Sequence, residues 1–170
     1  MQKALFLDRD GVINVEKDYL YKIEDFEFID GIFALISHYY HLGYKIFVVT
    51  NQSGIARNYY TEDDFNILTE WMLSEFLKQD IKIEKVYFCP HHPDISGECL
   101  CRKPKPGMIL EAASAYDIDL EHSVMIGDKE RDIEAGINAG IKETYLFDET
   151  QTLRESKATK IVSKLEDIWK

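Results

Sequence analysis

Two aspartates near the start of the chain, Asp8 and Asp10, stand out for the chemistry they could perform. They directly follow the apolar run Ala4 to Leu7, which predicts a short buried strand. Two carboxylates one residue apart at the end of a buried strand are costly to keep charged without a cation nearby. The carboxyl ends of parallel strands are also where α/β folds bind their ligands. The pair therefore predicts a metal site.

Three further polar clusters follow apolar runs in the same way. They are Thr50 to Gly54, Cys89 to Lys105, and Gly127 to Lys129 with Asp132. A parallel sheet would bring these clusters together although they are far apart in sequence. Each cluster alone has a structural explanation, because Asp, Thr and Ser commonly cap turns and helices. Their repeated position behind strands favours one shared site.

All three cysteines lie in one loop that also contains histidine. Cys89, His91, Cys99 and Cys101 offer three thiolates and one imidazole, which suit a closed tetrahedral zinc site. His92 is an alternative fourth ligand, and three reduced cysteines without a metal are the structural alternative. We expect a structural Zn²⁺ in this loop.

Short β-branched and aromatic runs alternate with amphipathic helical patterns, which indicates a parallel sheet with helical crossovers. The predicted strands are Ala4 to Leu7, Lys45 to Val49, Val86 to Phe88, Ser123 to Ile126 and Glu143 to Phe147. The predicted helices are Ile32 to Leu42, Thr61 to about Lys78, Glu130 to Ala139 and a short one near Ser163 to Trp169. A further helix is expected to start after Pro106-Gly107 and to carry Ile109, Leu110, Ala113 and Tyr116. In the short helix near Ser163 to Trp169, Leu165 and Trp169 are expected to pack on the body.

The length and the charge of the chain exclude several classes of protein. A chain of 170 residues without repeats or linkers predicts one domain over residues 1–170. With 31 acidic against 20 basic residues, the formal charge of −11 argues against a nucleic-acid surface. No apolar run approaches the roughly 18 residues of a membrane span, and the start resembles no signal peptide. We expect a cytoplasmic monomer that binds neither nucleic acid nor membranes.

The four clusters, in this order, resemble the motifs of the haloacid dehalogenase-like phosphohydrolases. The strings TNQSG and CRKPKPGM are similar to one branch, the D-glycero-D-manno-heptose 1,7-bisphosphate 7-phosphatases and their histidinol-phosphatase relatives. The resemblance covers about residues 3 to 147. It implies an α/β fold with three layers, in which a Rossmann-like parallel sheet has helices on both faces. It also implies a zinc-binding loop. The segments between Gly11 and Gly31 and between Cys89 and Pro106 are too short for a separate cap domain.

The resemblance implies magnesium-dependent hydrolysis of a phosphate monoester through an aspartyl-phosphate. Asp8 would be the nucleophile and a Mg²⁺ ligand, and Asp128 would be a second ligand. Asp10 would protonate the leaving alkoxide, take a proton from the attacking water, and bind Mg²⁺ through its backbone carbonyl. The Thr50 hydroxyl and neighbouring backbone amides would hold phosphoryl oxygens, while Lys103 would neutralise the charge that builds there.

Two neighbouring features have roles that depend on this arrangement. Asp132 either supports the loop and the water shell of the metal or is an ordinary surface residue of an amphipathic helix. The resemblance selects His91 as the fourth zinc ligand. Because Arg102 and Lys103 directly follow Cys101, a zinc ion bound there would also fix two cations beside the phosphate.

Short loops must supply the substrate contacts. Carboxylates would accept hydrogen bonds from sugar hydroxyls, and Arg102 would engage the phosphate that does not react. The alternative for Glu16 to Asp18 is a solvated run of charges. The contacts that the resemblance implies are Glu16, Lys17, Asp18, Tyr19, Thr50, Asn51, Gln52, Ser53, Arg102, Lys103 and Lys129.

The expected reaction is removal of the 7-phosphate of D-glycero-D-manno-heptose 1,7-bisphosphate, a phosphorylated sugar, for nucleotide-activated heptose synthesis in lipopolysaccharide or surface-glycan production. Histidinol phosphate is the nearest alternative substrate, and DNA 3′-phosphate ends are a distant one that the acidic surface disfavours. A non-enzymatic zinc-loop module, with Arg102 to Pro106 as its contact patch, is the third alternative. That alternative leaves Asp8, Thr50 and Asp128 unexplained.

Overall fold

A six-stranded parallel sheet lies at the centre of the computed structural model, which describes residues 1–170. The strands are β1 (Ala4–Leu7), β2 (Lys45–Asn51), β3 (Lys85–Cys89), β4 (Val124–Gly127), β5 (Glu143–Phe147) and β6 (Lys160–Val162). Their order across the sheet is β3-β2-β1-β4-β5-β6, so β1 lies between β2 and β4. Because every neighbouring pair is parallel, all the carboxyl ends lie at one end of the sheet.

Five α-helices connect the strands. They are α1 (Ile32–His41), α2 (Glu62–Leu77), α3 (Pro93–Ser96), α4 (Gly107–Tyr116) and α5 (Glu130–Ala139), with 3₁₀ turns at Ile23–Asp25, Leu120–His122 and Leu165–Ile168. A capping box starts α2, because the Thr61 hydroxyl accepts a hydrogen bond from the N–H of Asp64 and the Asp64 carboxylate accepts one from the N–H of Thr61. The longest helix has 16 residues, and none has the length and apolar character that a membrane span requires.

The side chains of β1 alternate between two apolar cores, one on each face of the sheet. Leu5 and Leu7 belong to a core of 24 buried residues that includes side chains of α1 and α2. Ala4 and Phe6 belong to a core of 13 buried residues that includes side chains of α4 and α5. A strand buried on both faces needs apolar residues at every position, which explains the uninterrupted run.

The structure confirms the predicted three-layer fold. All five predicted strands are present, with ends shifted by two residues or fewer. The sequence pattern does not predict β6, because three residues are too few for an alternation signal. The predicted terminal helix is a 3₁₀ turn; its Leu165 lies in the larger core and Trp169 packs against that core.

The segments that follow β1 and β3 contain little regular structure. The first, up to α1, has only the 3₁₀ turn at Ile23–Asp25, and the second, up to α4, has only the four-residue α3. Neither segment forms a cap domain, as predicted. Loops therefore form the walls of any cavity at the carboxyl end of the sheet.

Candidate active site

The carboxyl ends of the interior strands bring the predicted clusters together. Asp8 follows β1, and its N–H donates to the carbonyl of Ile126 in β4 at 3.1 Å. Asp128 directly follows β4. Lys103 comes from the loop after β3, and its Nζ lies 2.9 Å from Oδ1 of Asp8. Parallel pairing thus gathers residues from distant parts of the sequence at one position.

These residues line a cavity of about 310 Å³. Five carboxylates and five cationic side chains are among the 17 residues of its wall, so the cavity is locally balanced although the chain is strongly acidic. Most of the predicted site residues are on this wall: Asp8, Asp10, Glu16, Asp18, Tyr19, Asn51, Gln52, Ser53, Arg102, Lys103, Asp128 and Lys129.

Lys103 is a buried cation whose donors are all in use. Its Nζ donates to Oδ1 of Asp8 at 2.9 Å and to the carbonyl of Val49 at 2.8 Å, and lies 2.7 Å from Oδ1 of Asp132. An ammonium group has three donors, so these partners satisfy it completely. Burial alone would lower the pKa of Lys103, but the two carboxylates raise it above the usual value. Lys103 is therefore a fixed positive charge beside the predicted nucleophile.

Three carboxylates, two buried and one half-buried, create an excess of negative charge around this lysine. Asp8, Asp128 and Asp132 each place a carboxylate oxygen within 4.8 Å of the others. Burial, and then the charge of Asp132, raise the pKa of Asp8 well above its usual value and that of Asp128 to about 6. Oδ1 of Asp128 is buried and has no hydrogen-bond partner. A hard divalent cation with oxygen ligands fits this group of residues, because it would satisfy that oxygen and balance the charge.

Asp132 is buried and acts as a positioning residue rather than a surface residue. Its Oδ2 accepts hydrogen bonds from the backbone N–H groups of Asp128 and Lys129 at 3.2 and 3.1 Å. Its Oδ1 lies against Lys103. One carboxylate thus fixes both the loop that carries Asp128 and the lysine beside Asp8. We call these four residues, Asp8, Lys103, Asp128 and Asp132, the carboxylate–lysine cluster.

Gly11 allows the chain to pass closely under this cluster. Its φ of +91° lies in the region that favours glycine, and a Cβ atom built there would lie 2.0 Å from Oδ2 of Asp128. A side chain at this position would therefore displace the Asp128 carboxylate.

Asp10 is held by three donors on two sides. Its Oδ1 accepts hydrogen bonds from Nη2 of Arg9 and Nδ2 of Asn14, both at 3.0 Å. Its Oδ2 accepts one from Nε2 of Gln52 at 3.0 Å. The Tyr60 hydroxyl donates to Oε1 of Gln52, which fixes the amide with its N–H groups toward Asp10. The carboxylate predicted as the acid and base thus has a defined orientation.

Two predicted contact residues do not reach the cavity wall. Thr50 is fully buried, and its hydroxyl accepts a hydrogen bond from Nε2 of Gln52 at 2.9 Å. Lys17 turns away, because its Nζ donates to the carbonyl of Asp25 at 2.8 Å and pairs with Glu27 at 3.5 Å. The Gln52 amide therefore covers the hydroxyl that the sequence predicts to face phosphate.

Glu16 lies on the cavity wall beside the aspartates, and its side chain is exposed to solvent. Desolvation, and then repulsion from Asp10 and Asp8, raise the pKa of Glu16 to about 7, while Lys129 opposes this shift. The side chains of Glu16 to Asp18 are all exposed to solvent. The nearby cationic side chains do not balance the negative charge around Glu16, as is also the case in the carboxylate–lysine cluster.

The three cysteines form a separate thiol cluster, Cys89, Cys99 and Cys101. Their sulfur atoms lie within 4.8 Å of one another, and the Sγ atoms of Cys89 and Cys99 are 3.6 Å apart. All three are free thiols, which suit a soft cation such as zinc. The His91 imidazole is outside this group. His92 uses its Nδ1 to accept a hydrogen bond from the N–H of Asp94 at the start of α3.

Hydrogen bonds hold the loop that follows Cys101 beside the cavity. Oδ1 of Asn51 accepts from the backbone N–H of Lys103 at 3.0 Å, and Nδ2 of Asn51 donates to its carbonyl at 3.3 Å. Nη1 of Arg102 donates to the carbonyl of His91 at 3.2 Å. The loop that follows Cys101 is therefore held from both sides.

The cavity wall also contains residues that the sequence analysis did not predict. They are Leu20, Arg57, Tyr60 and Arg131, whereas Gly54 on this wall belongs to the predicted cluster Thr50 to Gly54. Arg57 and Tyr60 lie within ten residues of the TNQSG string. That proximity is the one signal that could have identified them.

The sheet order and the carboxylate–lysine cluster define a hydrolase of the HAD-like class. In agreement, a family model described as HAD-hydrolase-like matches residues 100–168. The chain is 56% identical over 147 residues to the D-glycero-alpha-D-manno-heptose-1,7-bisphosphate 7-phosphatase of Campylobacter jejuni, covering 86% of this chain and 83% of that protein. It is 52% identical over 146 residues to the D-glycero-beta-D-manno-heptose-1,7-bisphosphate 7-phosphatase of Helicobacter pylori, covering 85% and 83%.

A solved structure agrees with these relatives. The D,D-heptose 1,7-bisphosphate phosphatase of B. bronchiseptica, complexed with magnesium and phosphate, superimposes with a TM-score of 0.83 at 29% identity, covering 96% of this chain and 94% of that one. The chain belongs to the family of heptose-1,7-bisphosphate 7-phosphatases.

Proposed function

We propose that the protein removes the 7-phosphate of D-glycero-D-manno-heptose 1,7-bisphosphate and releases the 1-phosphate for nucleotide-activated heptose synthesis. The names of the relatives from C. jejuni and H. pylori support this substrate. The observation that carries the proposal is the position of Asp8, a buried carboxylate between a lysine and two further aspartates on the wall of a polar cavity. This arrangement suits attack on a phosphate dianion.

In the proposed first step, one carboxylate oxygen of Asp8 attacks phosphorus and the bond to the sugar O7 breaks. The bond that forms is the acyl phosphate of Asp8, and the electron pair of the broken bond leaves on O7. Asp10 protonates that oxygen. Lys103 supports the step by holding positive charge 2.9 Å from the nucleophile.

In the second step, water attacks the phosphorus of the acyl phosphate and releases the Asp8 carboxylate. Asp10, now ionised, takes the proton of that water, so the enzyme returns to its starting state. The three donors from Arg9, Asn14 and Gln52 hold the Asp10 carboxylate in place for both transfers. Thr50 remains a proposed phosphoryl contact that requires the Gln52 amide to move away.

The carboxylates of Asp8 and Asp128 and the backbone carbonyl of Asp10 are the proposed ligands of Mg²⁺. When bound, this ion supplies the positive charge that allows a carboxylate to approach a phosphate dianion. The unpaired Oδ1 of Asp128 and the magnesium in the B. bronchiseptica structure support this site. Asp132 positions Asp128 and Lys103 from behind.

The sugar and its second phosphate are proposed to bind the loops of the cavity wall. The proposed contacts are Glu16, Asp18, Tyr19, Asn51, Gln52, Ser53, Arg102 and Lys129. Lys17 joins them only if it leaves its partners Asp25 and Glu27. One domain over residues 1–170 is proposed to be sufficient for this activity.

The thiol cluster is the proposed site of a structural Zn²⁺ with His91 as the fourth ligand. Three sulfur atoms are already close together, and the Nδ1 of the neighbouring His92 is in use, which favours His91. Free thiols that bind metal suit a reducing compartment, so we propose that the protein is cytoplasmic. We also propose that it is a monomer.

A comparison of substrates tests the proposed function. We expect kcat/KM on heptose 1,7-bisphosphate to exceed that on histidinol phosphate by about 10²-fold or more, because the cavity offers cations for a second phosphate. Both anomers belong in the assay, since the relatives from C. jejuni and H. pylori are named for opposite anomers. A higher kcat/KM on histidinol phosphate would contradict the proposed substrate.

A further inference from the structure

Arg57 is a cation on the cavity wall that has no protein partner for its charge. It lies in the loop after β2, where its backbone N–H donates to the carbonyl of Ser53 at 3.1 Å. No carboxylate lies within ion-pair distance of its guanidinium, and its buried Nε has no hydrogen-bond partner. The central carbon of the guanidinium lies 5.7 Å from the centroid of the Tyr19 ring. The aromatic ring thus helps to hold the planar group in place.

Each of the other cations of the cavity has a polar partner in the protein or is exposed to water. Lys103 satisfies all three donors within the carboxylate–lysine cluster. Lys129 lies 3.8 Å from the carboxylate of Asp128, and Arg102 donates to the carbonyl of His91. Arg131 is exposed, so water solvates it. Arg57 is half-buried and unpaired, an arrangement that costs free energy until an anion binds.

The anion that suits Arg57 is distinct from the phosphate that reacts. The reacting phosphate must contact Asp8, which is nearly buried and whose ionic partner is Lys103. No ion pair or hydrogen bond joins Arg57 to Asp8, Asp10 or Asp128, yet it lines the same cavity. A bisphosphorylated sugar would bring a second phosphate to the wall while the first lies at Asp8.

We propose that Arg57 is a specificity-determining residue that binds the non-reacting phosphate of the substrate. The guanidinium donates two hydrogen bonds to phosphate oxygens, and the Tyr19 ring keeps its plane oriented for this contact. The inference deepens the proposed function and rests on it, because a bisphosphate substrate is required.

The test compares two sugars in the wild-type and Arg57→Gln enzymes. The substrates are heptose 1,7-bisphosphate and the same heptose with only the 7-phosphate. We expect R57Q to lower kcat/KM about 30-fold on the bisphosphate and less than about twofold on the monophosphate, since only the first loses a charge-assisted contact. Arg154→Gln is the matched control, because it removes the same charge from an exposed residue that lies outside this cavity wall. The control should leave both values unchanged.

A binding measurement separates this inference from the proposed function. Heptose 1-phosphate, the expected product, is titrated into wild-type, R57Q and R57K protein by calorimetry. We expect R57Q to weaken its Kd about 30-fold, and R57K to restore part of the affinity because a lysine keeps the charge without the planar fork. Equal Kd values in wild type and R57Q, or equal losses on mono- and bisphosphate, would overturn the inference. An inactive wild-type enzyme that still shows the Kd difference would contradict the proposed function alone.

Discussion

The carboxylate–lysine cluster and the thiol cluster are two potential metal sites of opposite character. The first consists of hard oxygen donors on the wall of an open cavity, with one buried carboxylate oxygen left unpaired. The second consists of soft sulfur donors at the end of β3 and in the loop that follows it, outside that wall. An open oxygen site suits a metal that meets substrate, and a closed sulfur site suits a metal that fixes structure. One loop can contribute to both sites, because Cys101 and Lys103 are only two residues apart.

This comparison predicts that changes in the two clusters have different consequences. Substitutions in the carboxylate–lysine cluster should remove chemistry and leave the fold intact. Substitutions in the thiol cluster should weaken the fold and reduce chemistry through the position of Lys103. Each of the following variants tests that separation.

The largest effect is expected for Asp8→Asn. We expect kcat to fall about 10⁴-fold or more, because an amide cannot form the acyl phosphate. The melting temperature should not fall, since the substitution removes one of three mutually repelling carboxylates. Steady-state assays and thermal unfolding measure the two effects. Asp117→Asn, at an exposed aspartate, is the control and should change neither. A D8N enzyme with native turnover would contradict the role of Asp8.

Asp10→Asn should be the next most damaging change. We expect kcat on the sugar bisphosphate to fall about 10³-fold, because both proton transfers lose their acid and base. With an aryl phosphate, whose leaving group needs no proton, the first turnover should stay fast and the later ones should be slow. Stopped-flow assays of phenol release measure this burst. If the rate of phenol release fell equally in the first and later turnovers, the proposed role of Asp10 in the second step would be contradicted.

Lys103→Met removes the buried positive charge of the carboxylate–lysine cluster, at a position two residues after Cys101 of the thiol cluster. We expect kcat to fall about 10²-fold, because the nucleophile loses a fixed positive charge, while methionine keeps much of the buried volume. The Zn²⁺ content, measured by elemental analysis, should stay at the wild-type value because the thiol cluster is untouched. A loss of zinc in K103M would contradict the prediction that zinc binding at the thiol cluster does not depend on Lys103.

Cys101→Ser should have the smallest effect on turnover and the largest on folding. We expect a lower melting temperature and a loss of zinc, with kcat reduced only about tenfold because the loop that carries Lys103 loosens. The affinity for Mg²⁺, measured by titration, should remain close to the wild-type value. A C101S enzyme with full activity and no zinc would contradict the proposed positioning role of this metal.

The sequence predicts the position of the main catalytic groups for a clear physical reason. Asp8 and Asp128 each follow a buried apolar run, and parallel pairing must then bring them together. The roles of Thr50 and Lys17 are less predictable, because their partners Gln52, Asp25 and Glu27 are chosen by loop conformation. Loop conformation depends on tertiary packing, which leaves no periodic pattern in the sequence.

The sequence pattern also does not predict where Arg57 and Asp132 lie in the structure. Arg57 has no distinctive spacing, and only the structure places it on the cavity wall beside Tyr19. Asp132 fits the exposed face of an amphipathic helix by pattern alone, yet it is buried against Lys103. The pattern cannot reveal such a residue, because its burial depends on a charge from a different part of the chain.

The central claim is that Asp8 carries the phosphoryl group during turnover. The most direct measurement is acid quenching of Asp10→Asn enzyme after one turnover with an aryl phosphate, followed by mass mapping of the phosphorylated peptide. We expect phosphate on Asp8, in an amount equal to the phenol released in the burst. Phosphate on another residue, or phenol release with the phosphate already free in solution, would contradict that claim.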